Sequence, residues 1–288
     1  RSPENVVDEI ENINRDYNIG MFKFNDDDIF GPGETGRERV VGICEEIIRR
    51  RIKVNLMAYC RINDIEYEIM ALMHKAGFER LLVGIESTMP TILHEYKKGI
   101  SPIHIREKLT LLEELGFSVI PGFMMFNPYS SLGQLRTDLE FLRVTKSFGV
   151  SISKTLKIHD STEIKDQLLA CGRLKLIPFE EGYHEYTIDN AVARVFKALK
   201  LIWSNIIDPM QADCQGLVTR LKKSTSFNTR QEYDKYLQLI WEIQADIMVR
   251  LINWVRVDRV DRVEIRTLLE EVQYRISQVV AYLKDRET

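Results

Sequence analysis

The sequence predicts an α/β fold on a parallel sheet, followed by an all-helical C-terminal region. Over the first 180 residues, five strand-like apolar runs alternate with amphipathic helical patterns. Such alternation is typical of right-handed βαβ units, whose parallel sheet is either open or closed into a barrel. From about Tyr183 onward, apolar positions recur at helical spacing and no strand is predicted. We therefore expect two domains, at residues 1–180 and 181–288.

The chain opens with the signature of a helix start. Ser2 is placed as the N-cap, Pro3 occupies the first helical position, and Glu4 lies at the positive end of the helix dipole. In a continuous βαβ series a strand should feed this helix. We expect it to be the crossover after a missing first strand, the alternative being a helical cover at the end of a barrel.

The remaining elements follow in regular order. The strand-like runs are IGMFKFNDD, IKVNLMAYCRI, FERLLVGIES, FSVIPGFMMFNP and VSISKTLKIH. Between them lie the helical patterns RERVVGICEEIIRRR, DIEYEIMALMHKAG, MPTILHEYKKG, PIHIREKLTLLEELG and SLGQLRTDLEFLRVTKSFG, most of which end at glycine. Three longer helical patterns form the C-terminal region: IDNAVARVFKALKLIWSNII, YDKYLQLIWEIQADIMVRLINWV and VEIRTLLEEVQYRISQVVAYL.

Composition narrows the class of protein. The 288 residues are 44% hydrophobic and 29% charged, which suits a globular core. A net charge of −3 gives no reason to expect nucleic acid or an anionic membrane as partner. No apolar run reaches the roughly 20 residues of a membrane span, and no signal peptide is visible, so we expect a cytoplasmic protein.

Local spacing predicts no metal site. Cys44, Cys60, Cys171 and Cys214 form no short pair, and the five histidines include no H-x3-H pair. A disulfide framework is not expected in so large a chain with so few cysteines.

Ligands of parallel α/β sheets bind at the carboxyl ends of the strands, so the candidate residues are those that end each run. The first run ends in Asn25, Asp26, Asp27 and Asp28. These carboxylates either accept hydrogen bonds from a cationic group of a ligand or cap the loop and the next helix. The third run ends at Glu86, which could grip ribose hydroxyls or an amine, or could cap the following helix.

Two further strand ends leave alternatives open. In the fourth run, Pro121 and Gly122 interrupt a strand where a backbone can approach a ligand closely. The residues that follow, MMF, suit either a purine face or an ordinary core. The fifth run ends near His159 and Asp160, an acid–base pair only if neighbouring side chains can converge; Lys154 and Lys157 lie just before them.

The order of these features resembles that of radical S-adenosylmethionine (radical SAM) enzymes, in particular the branch that often carries an upstream cobalamin-binding domain. The likeness lies in RSPENVVDEI, F-x-F-N-D-D, AGFERLLVGIES, L-x4-K-G-I and EELGFSVIPGFMMFNPY, and it covers roughly residues 1–175. It departs from common patterns in having no glycine after GIES and in carrying FNPYSS where many relatives carry P-G-E-T.

The resemblance implies a partial (β/α)6 TIM-like barrel whose first strand is missing here. In the family, a C-x3-C-x2-C loop binds a [4Fe-4S] cluster, whose reduction cleaves S-adenosylmethionine to a 5′-deoxyadenosyl radical that abstracts hydrogen from an organic substrate. By the same resemblance, Asn25, Asp26 or Asp27 would contact the methionine amino group and Glu86 the ribose hydroxyls. The segment Ile120, Pro121, Gly122 and Phe123 would lie against the adenine.

The cluster motif is absent from the 288 residues. We expect a fragment of a radical SAM enzyme whose cluster ligands lie upstream of residue 1, inactive alone, with methylation possible if a cobalamin domain is present. Its partners would be a small-molecule or peptide substrate and a reductant such as a flavodoxin or ferredoxin. The alternative is a cluster-free, non-catalytic scaffold or binding protein; an unrelated barrel hydrolase or aldolase lacks the expected metal or lysine context.

Overall fold

The computed structural model describes residues 1–175, 183–207, 209, 227–258 and 262–284. The chain divides into two compact units, Arg1–Phe123 and Met124–Thr288. The boundary expected near residue 180 falls within 176–182, outside the described residues, and stays a prediction.

The first unit is built on a parallel sheet of four strands in the order β1-β2-β3-β4. The strands are β1 (Met21–Lys23), β2 (Asn55–Arg61), β3 (Phe78–Glu86) and β4 (Ser118–Phe123). Its helices are α1 (Pro3–Tyr17), α2 (Glu34–Arg50), α3 (Tyr67–Lys75), α4 (Pro90–Glu95) and α5 (Pro102–Glu114), with a 3₁₀ turn at Ile62–Asp64. The predicted α/β class and parallel sheet are confirmed.

The two faces of this sheet differ in burial. The helices α3 and α5 pack on β3 and β4. Alternate residues of β2, β3 and β4 are buried on one face of the sheet: Leu56, Ala58, Cys60, Leu81, Val83, Ile85, Pro121 and Phe123. The residues between them are half-exposed and share the opposite face, as the period of two requires: Tyr59, Leu82, Gly84, Ile120 and Gly122. The half-exposed face is thus open to a ligand.

The opening helix forms as the sequence predicts. The Ser2 hydroxyl accepts a hydrogen bond from the Asn5 backbone N–H at 3.3 Å, and the helix begins at Pro3. The helix packs on α2, where a Cβ at Gly42 would lie 2.8 Å from the Cγ of Pro3, so glycine is needed for this approach. The strand expected before this helix stays a prediction.

The second unit combines helices with a small antiparallel sheet. The helices are α6 (Leu132–Val144), α7 (Glu163–Ala170), α8 (Asn190–Ile202), α9 (Phe227–Arg256) and α10 (Arg262–Lys284), and α8 continues into a π-helical turn at Trp203–Ile207. The short strands β5 (Ile158–His159), β6 (Leu174–Lys175) and β7 (Tyr183–Tyr186) pair in the order β5-β7-β6. The helical C-terminal region is confirmed.

Two strand predictions need correction. The fifth run, VSISKTLKIH, is not one continuous strand: Thr155 makes a single parallel bridge to Phe126, and β5 pairs antiparallel with β7. Only Val150, Ile152 and Ile158 are buried in this run, and the serines and lysines between them favour strands weakly. β7 itself lies where no strand was predicted, because its four residues YHEY carry too short a pattern to detect.

Candidate functional site

The carboxyl end of β1 presents the predicted acidic run. Asn25, Asp26 and Asp27 are exposed, and the Asp26 Oδ1 lies 3.6 Å from the Nη2 of Arg39. Asp28 differs because it is half-buried and its Oδ1 accepts a hydrogen bond from the Phe30 backbone N–H at 3.2 Å. The structure therefore assigns loop capping to the last carboxylate and leaves the first three polar side chains at the surface.

The end of β2 adds polar groups next to this run. The Arg61 Nε lies 3.4 Å from the Asp28 Oδ2. Burial, and then the charge of Asp28, raise the pKa of the Asp64 carboxyl above its ordinary value. The carboxyl ends of β1 and β2 thus form one electrostatically coupled group. Sequence reasoning missed Arg61 and Asp64, although Arg61 lies at the end of the second apolar run and Asp64 two residues after it.

The end of β3 holds the most constrained polar residue of this edge. Glu86 has φ = 75°, in the left-handed region, where the β3–β4 register shifts. Its half-buried Oε1 lies 2.9 Å from the Nζ of Lys98, which follows α4. The Asn63 Nδ2 donates to the Lys98 carbonyl at 2.7 Å and so ties this loop to the end of β2.

The alternative role of Glu86 as a helix cap is not what the structure shows. The N-cap of α4 is Met89, and the Ser87 hydroxyl accepts from the Met89 backbone N–H at 3.1 Å. The carboxylate of Glu86 is therefore committed to Lys98 in this arrangement. The lysine was visible in the L-x4-K-G-I motif, but its pairing with a residue 12 positions earlier was not predicted.

The end of β4 separates the predicted segment into two pairs. Ile120 and Gly122 lie on the half-exposed face, whereas Pro121 and Phe123 belong to the buried face. Gly122 is the register partner of Gly84, and a Cβ on Gly122 would lie 3.5 Å from the Gly84 Cα. At Gly84 the Glu86 Oε1 and the Lys98 Nζ would lie 3.0 and 3.6 Å from an added Cβ, so this ion pair lies over that glycine. Gly122 beside it carries no side chain of its own, and a flat ligand could approach its backbone closely.

An aromatic side chain extends this face toward β1. Tyr59 is half-exposed and its register partner is Leu82, which in turn pairs with Ile120. The Nζ of Lys23 lies 4.6 Å from the centre of the Tyr59 ring, a cation–π distance. Neither residue was predicted from the sequence, because the two segments were interpreted only as apolar strands.

The remaining candidate residues belong to the second unit. The Asp160 Oδ1 contacts the Lys165 Nζ at 2.6 Å, and His159 is exposed. Met125 and Phe126 are fully buried, and the Phe126 ring packs 4.8 Å from that of Phe196. For these two apolar residues the core alternative is the correct one.

The described residues do not fit an iron–sulfur cluster. A [4Fe-4S] cluster is held by Cys thiolates, but Cys44 and Cys60 are buried in α2 and β2, and burial raises the pKa of each thiol to about 12. No group of three or more histidine, cysteine and acidic side chains in the described part of the chain could hold a metal ion. Cys214 lies outside the described residues.

No helix in the described ranges is both long and apolar enough to cross a membrane.

The chain is similar in sequence to several enzymes, over part of its length. It is 27% identical over 181 residues to 4′-phospho-dehydrooxetanocin synthase from Priestia megaterium, a match covering 57% of this chain and 24% of that protein. It is 28% identical over 116 residues to the anaerobic magnesium-protoporphyrin IX monomethyl ester cyclase from Synechocystis sp., covering 40% and 22%. The alignments thus span about a quarter of each relative's length. No family model matches the chain.

Solved structures match over a larger share of the chain. The cobalamin-dependent radical SAM enzyme OxsB, with aqua-cobalamin and S-adenosylmethionine bound, covers 99% of this chain with a TM-score of 0.73 at 15% identity. The chain corresponds to 51% of OxsB. The radical SAM methyltransferase TsrM from Kitasatospora setae, with cobalamin and a [4Fe-4S] cluster bound, covers 64% with a TM-score of 0.52 at 18% identity, and this chain spans 35% of it. The predicted resemblance to cobalamin-dependent radical SAM enzymes is confirmed at the level of the fold.

Proposed function

We propose that this chain is part of a radical SAM enzyme and that its parallel sheet binds S-adenosylmethionine. The main support is the fold match over 99% of the chain to an enzyme solved with that cofactor bound. The polar ends of β1, β2 and β3 add support, because they gather carboxylate, amide and ammonium groups at one edge of the sheet, where parallel α/β folds bind their ligands.

The proposed contacts follow the two chemical ends of the cofactor. Asn25, Asp26 and Asp27 would receive the methionine amino group, since they are exposed at the end of β1. Glu86 would accept hydrogen bonds from the ribose hydroxyls. Its carboxylate is half-buried and lies 2.9 Å from the Lys98 Nζ, which fixes its direction.

The adenine would lie on the half-exposed face. Ile120 offers an apolar contact, and Gly122 lets the ring approach the backbone. Pro121 and Phe123 would act from the buried side, by fixing the strand beneath the ring rather than by touching it. This division follows from strand alternation and narrows the predicted segment to two contact residues.

The cluster ligands would lie outside these 288 residues, because the described cysteines do not fit and the sequence contains no C-x3-C-x2-C. With a cluster and S-adenosylmethionine, the enzyme class abstracts hydrogen from an organic substrate. Methyl transfer would be possible if a further domain supplied cobalamin. A small molecule or peptide would be the substrate, and a flavodoxin or ferredoxin the reductant.

The second candidate is a cluster-free scaffold that keeps the fold without the radical chemistry. The burial of Cys44 and Cys60 as neutral thiols favours it, because neither could serve as a ligand without unfolding its element. Anaerobic reconstitution with iron and sulfide of the longest natural polypeptide that contains these residues separates the two candidates. Incorporation of four irons together with cleavage of S-adenosylmethionine would support the enzyme. The absence of both results would support the scaffold.

The binding site itself is tested by Glu86→Ala. We expect about tenfold to hundredfold weaker S-adenosylmethionine binding by calorimetry, since a hydrogen bond to a charged group contributes about 1.5–3 kcal/mol. The matched control is Glu79→Ala, on the same strand but exposed at its opposite end. Equal affinities of the two variants would remove Glu86 from the site.

A further inference from the structure

The second unit contains an apolar cavity that the proposed cofactor site does not use. Its volume is about 660 Å³, and its walls come from α8, the π-helical turn, α9 and α10. The principal lining residues are Ala198, Leu201, Leu251, Trp254, Ile265 and Leu268. This volume lies within the range of about 300–1,000 Å³ that is typical of small-molecule sites.

The π-helical turn shapes one wall. The Ser204 hydroxyl donates to the Lys200 carbonyl at 2.9 Å, and the Asn205 Nδ2 donates to the Leu201 carbonyl at 2.8 Å. These side-chain bonds occupy carbonyls that a regular α-helix would pair with backbone N–H groups, and they support the wider turn. Such turns occur frequently at functional sites.

Apolar side chains at the cavity remain in contact with water. Leu201 is 65% exposed and Ile265 is 37% exposed, although both line the cavity. Leaving them hydrated costs free energy that a bound hydrocarbon surface would recover, at about 25 cal/mol per Å² covered. The site is therefore suited to an apolar occupant.

The charge of the wall restricts the occupant further. Its cation, Arg194, already pairs with Asp258, Nη1 to Oδ1 at 2.8 Å. Among the described residues of the wall, the other polar side chains are the neutral amides of Asn205 and Gln273. A charged ligand would lose its hydration on entering the cavity, and the described wall offers it no unpaired opposite charge in return.

We propose that this cavity binds an uncharged small molecule made largely of hydrocarbon and carrying at most one or two hydrogen-bonding groups. All its lining residues belong to the unit Met124–Thr288, so its occupancy can be measured independently of S-adenosylmethionine binding.

The test uses N-phenyl-1-naphthylamine, an uncharged dye that fluoresces in apolar surroundings, titrated into the 288-residue chain. We expect saturable binding at one site, energy transfer from tryptophan, since Trp254 lines the cavity, and displacement by dodecan-1-ol. Dodecanoate should compete about tenfold less well, because no described residue that lines the cavity offers its carboxylate an unpaired cation. Dye binding that does not saturate, or equal competition by the acid and the alcohol, would overturn the proposal.

Two variants locate the site. Ala198→Phe places a ring in the cavity and should abolish saturable binding, whereas Ala281→Phe, on an exposed position of α10, should leave it unchanged. Leu201→Asn changes an exposed side chain at the solvent-facing side of the cavity, so it should not destabilise the fold. It should weaken binding of the dye several-fold. If all three variants bind alike, the cavity is not the site. Self-association that the dye reverses would identify a second copy of the chain as the occupant instead, and would equally overturn the proposal.

Discussion

The two units bury similar aliphatic side chains but arrive at different interiors. In Arg1–Phe123, strands held in register by backbone hydrogen bonds bring Leu81 and Val83 to complete burial. In Met124–Thr288, the helices α8, α9 and α10 line an apolar cavity that solvent can enter. Strand spacing is fixed by the ladder, whereas helix spacing depends on the side chains at each contact, so a local change such as the π-helical turn can leave space.

The polar groups of the two units differ in the same sense. At the carboxyl edge of the parallel sheet, Glu86 and Lys98 are held half-buried and close together by a strained backbone and a bridging loop. At the cavity wall, Arg194 and Asp258 form a pair of exposed side chains. We infer that the sheet edge is organised for polar recognition and the cavity for apolar recognition.

The largest expected effect tests the contrast in packing. Leu81→Ala removes a fully buried side chain from the buried face of β3 and should lower the free energy of unfolding by about 3–5 kcal/mol. Leu268→Ala, which enlarges a cavity that already exists, should cost about 2 kcal/mol. Urea unfolding of both variants gives the comparison; a larger loss for Leu268→Ala would contradict it.

The next effect concerns the buried thiols of the first unit. Burial raises the folded-state pKa of Cys44 and Cys60 to about 12, against about 8.5 for an unfolded cysteine. Between these pH values the unfolded state loses the thiol proton and the folded state keeps it. The contribution of the two thiols to the free energy of unfolding is therefore fully present below about pH 8.5 and is lost as the pH rises.

We expect the free energy of unfolding to fall by about 2 kcal/mol between pH 8 and pH 9.5 because of these two thiols. The double variant Cys44→Ala/Cys60→Ala should lose that part of the pH dependence. Alkylation mapped by mass spectrometry provides an independent check, since exposed Cys171 should react in the native protein while the two buried cysteines react only on unfolding. Equal slopes for the double variant and the parent would refute the assignment.

A smaller effect isolates the backbone strain at the sheet edge. Both Glu86→Gly and Glu86→Ala remove the carboxylate, but only glycine relieves the positive φ, so the glycine variant should be more stable by about 1 kcal/mol. At Glu79, within the extended part of β3, the order should reverse by about 0.5–1 kcal/mol. Thermal unfolding of the four variants measures both differences; the same order at both positions would contradict the strain.

The smallest effect is expected at the cavity wall. Asp258→Asn breaks an exposed ion pair and should change the free energy of unfolding by less than about 0.5 kcal/mol. The same substitution frees Arg194, so dodecanoate should then compete for the cavity as well as dodecan-1-ol. A large loss of stability, or no gain for the acid, would show that the pair has a different role.

The sequence by itself determined the α/β class, the four parallel strands and the helical C-terminal region, because local periodicity and capping residues such as Ser2 act over a few positions. It also placed the polar strand ends correctly, since parallel strands share one carboxyl edge. It failed at the fifth run, where β5 pairs with a short strand formed 25 residues later. Such long-range pairing leaves no local pattern to read.

Only the tertiary structure decided how the candidate residues are used. Strand alternation places Ile120 and Gly122 on one face and Pro121 and Phe123 on the other, but only the packing against the sheet decided which face is half-exposed. The tertiary structure joined Glu86 to Lys98, assigned Asp28 to the loop, and opened the cavity beside Ala198. Each of these depends on side chains brought together from distant positions, and their convergence is fixed by packing rather than by spacing in the chain.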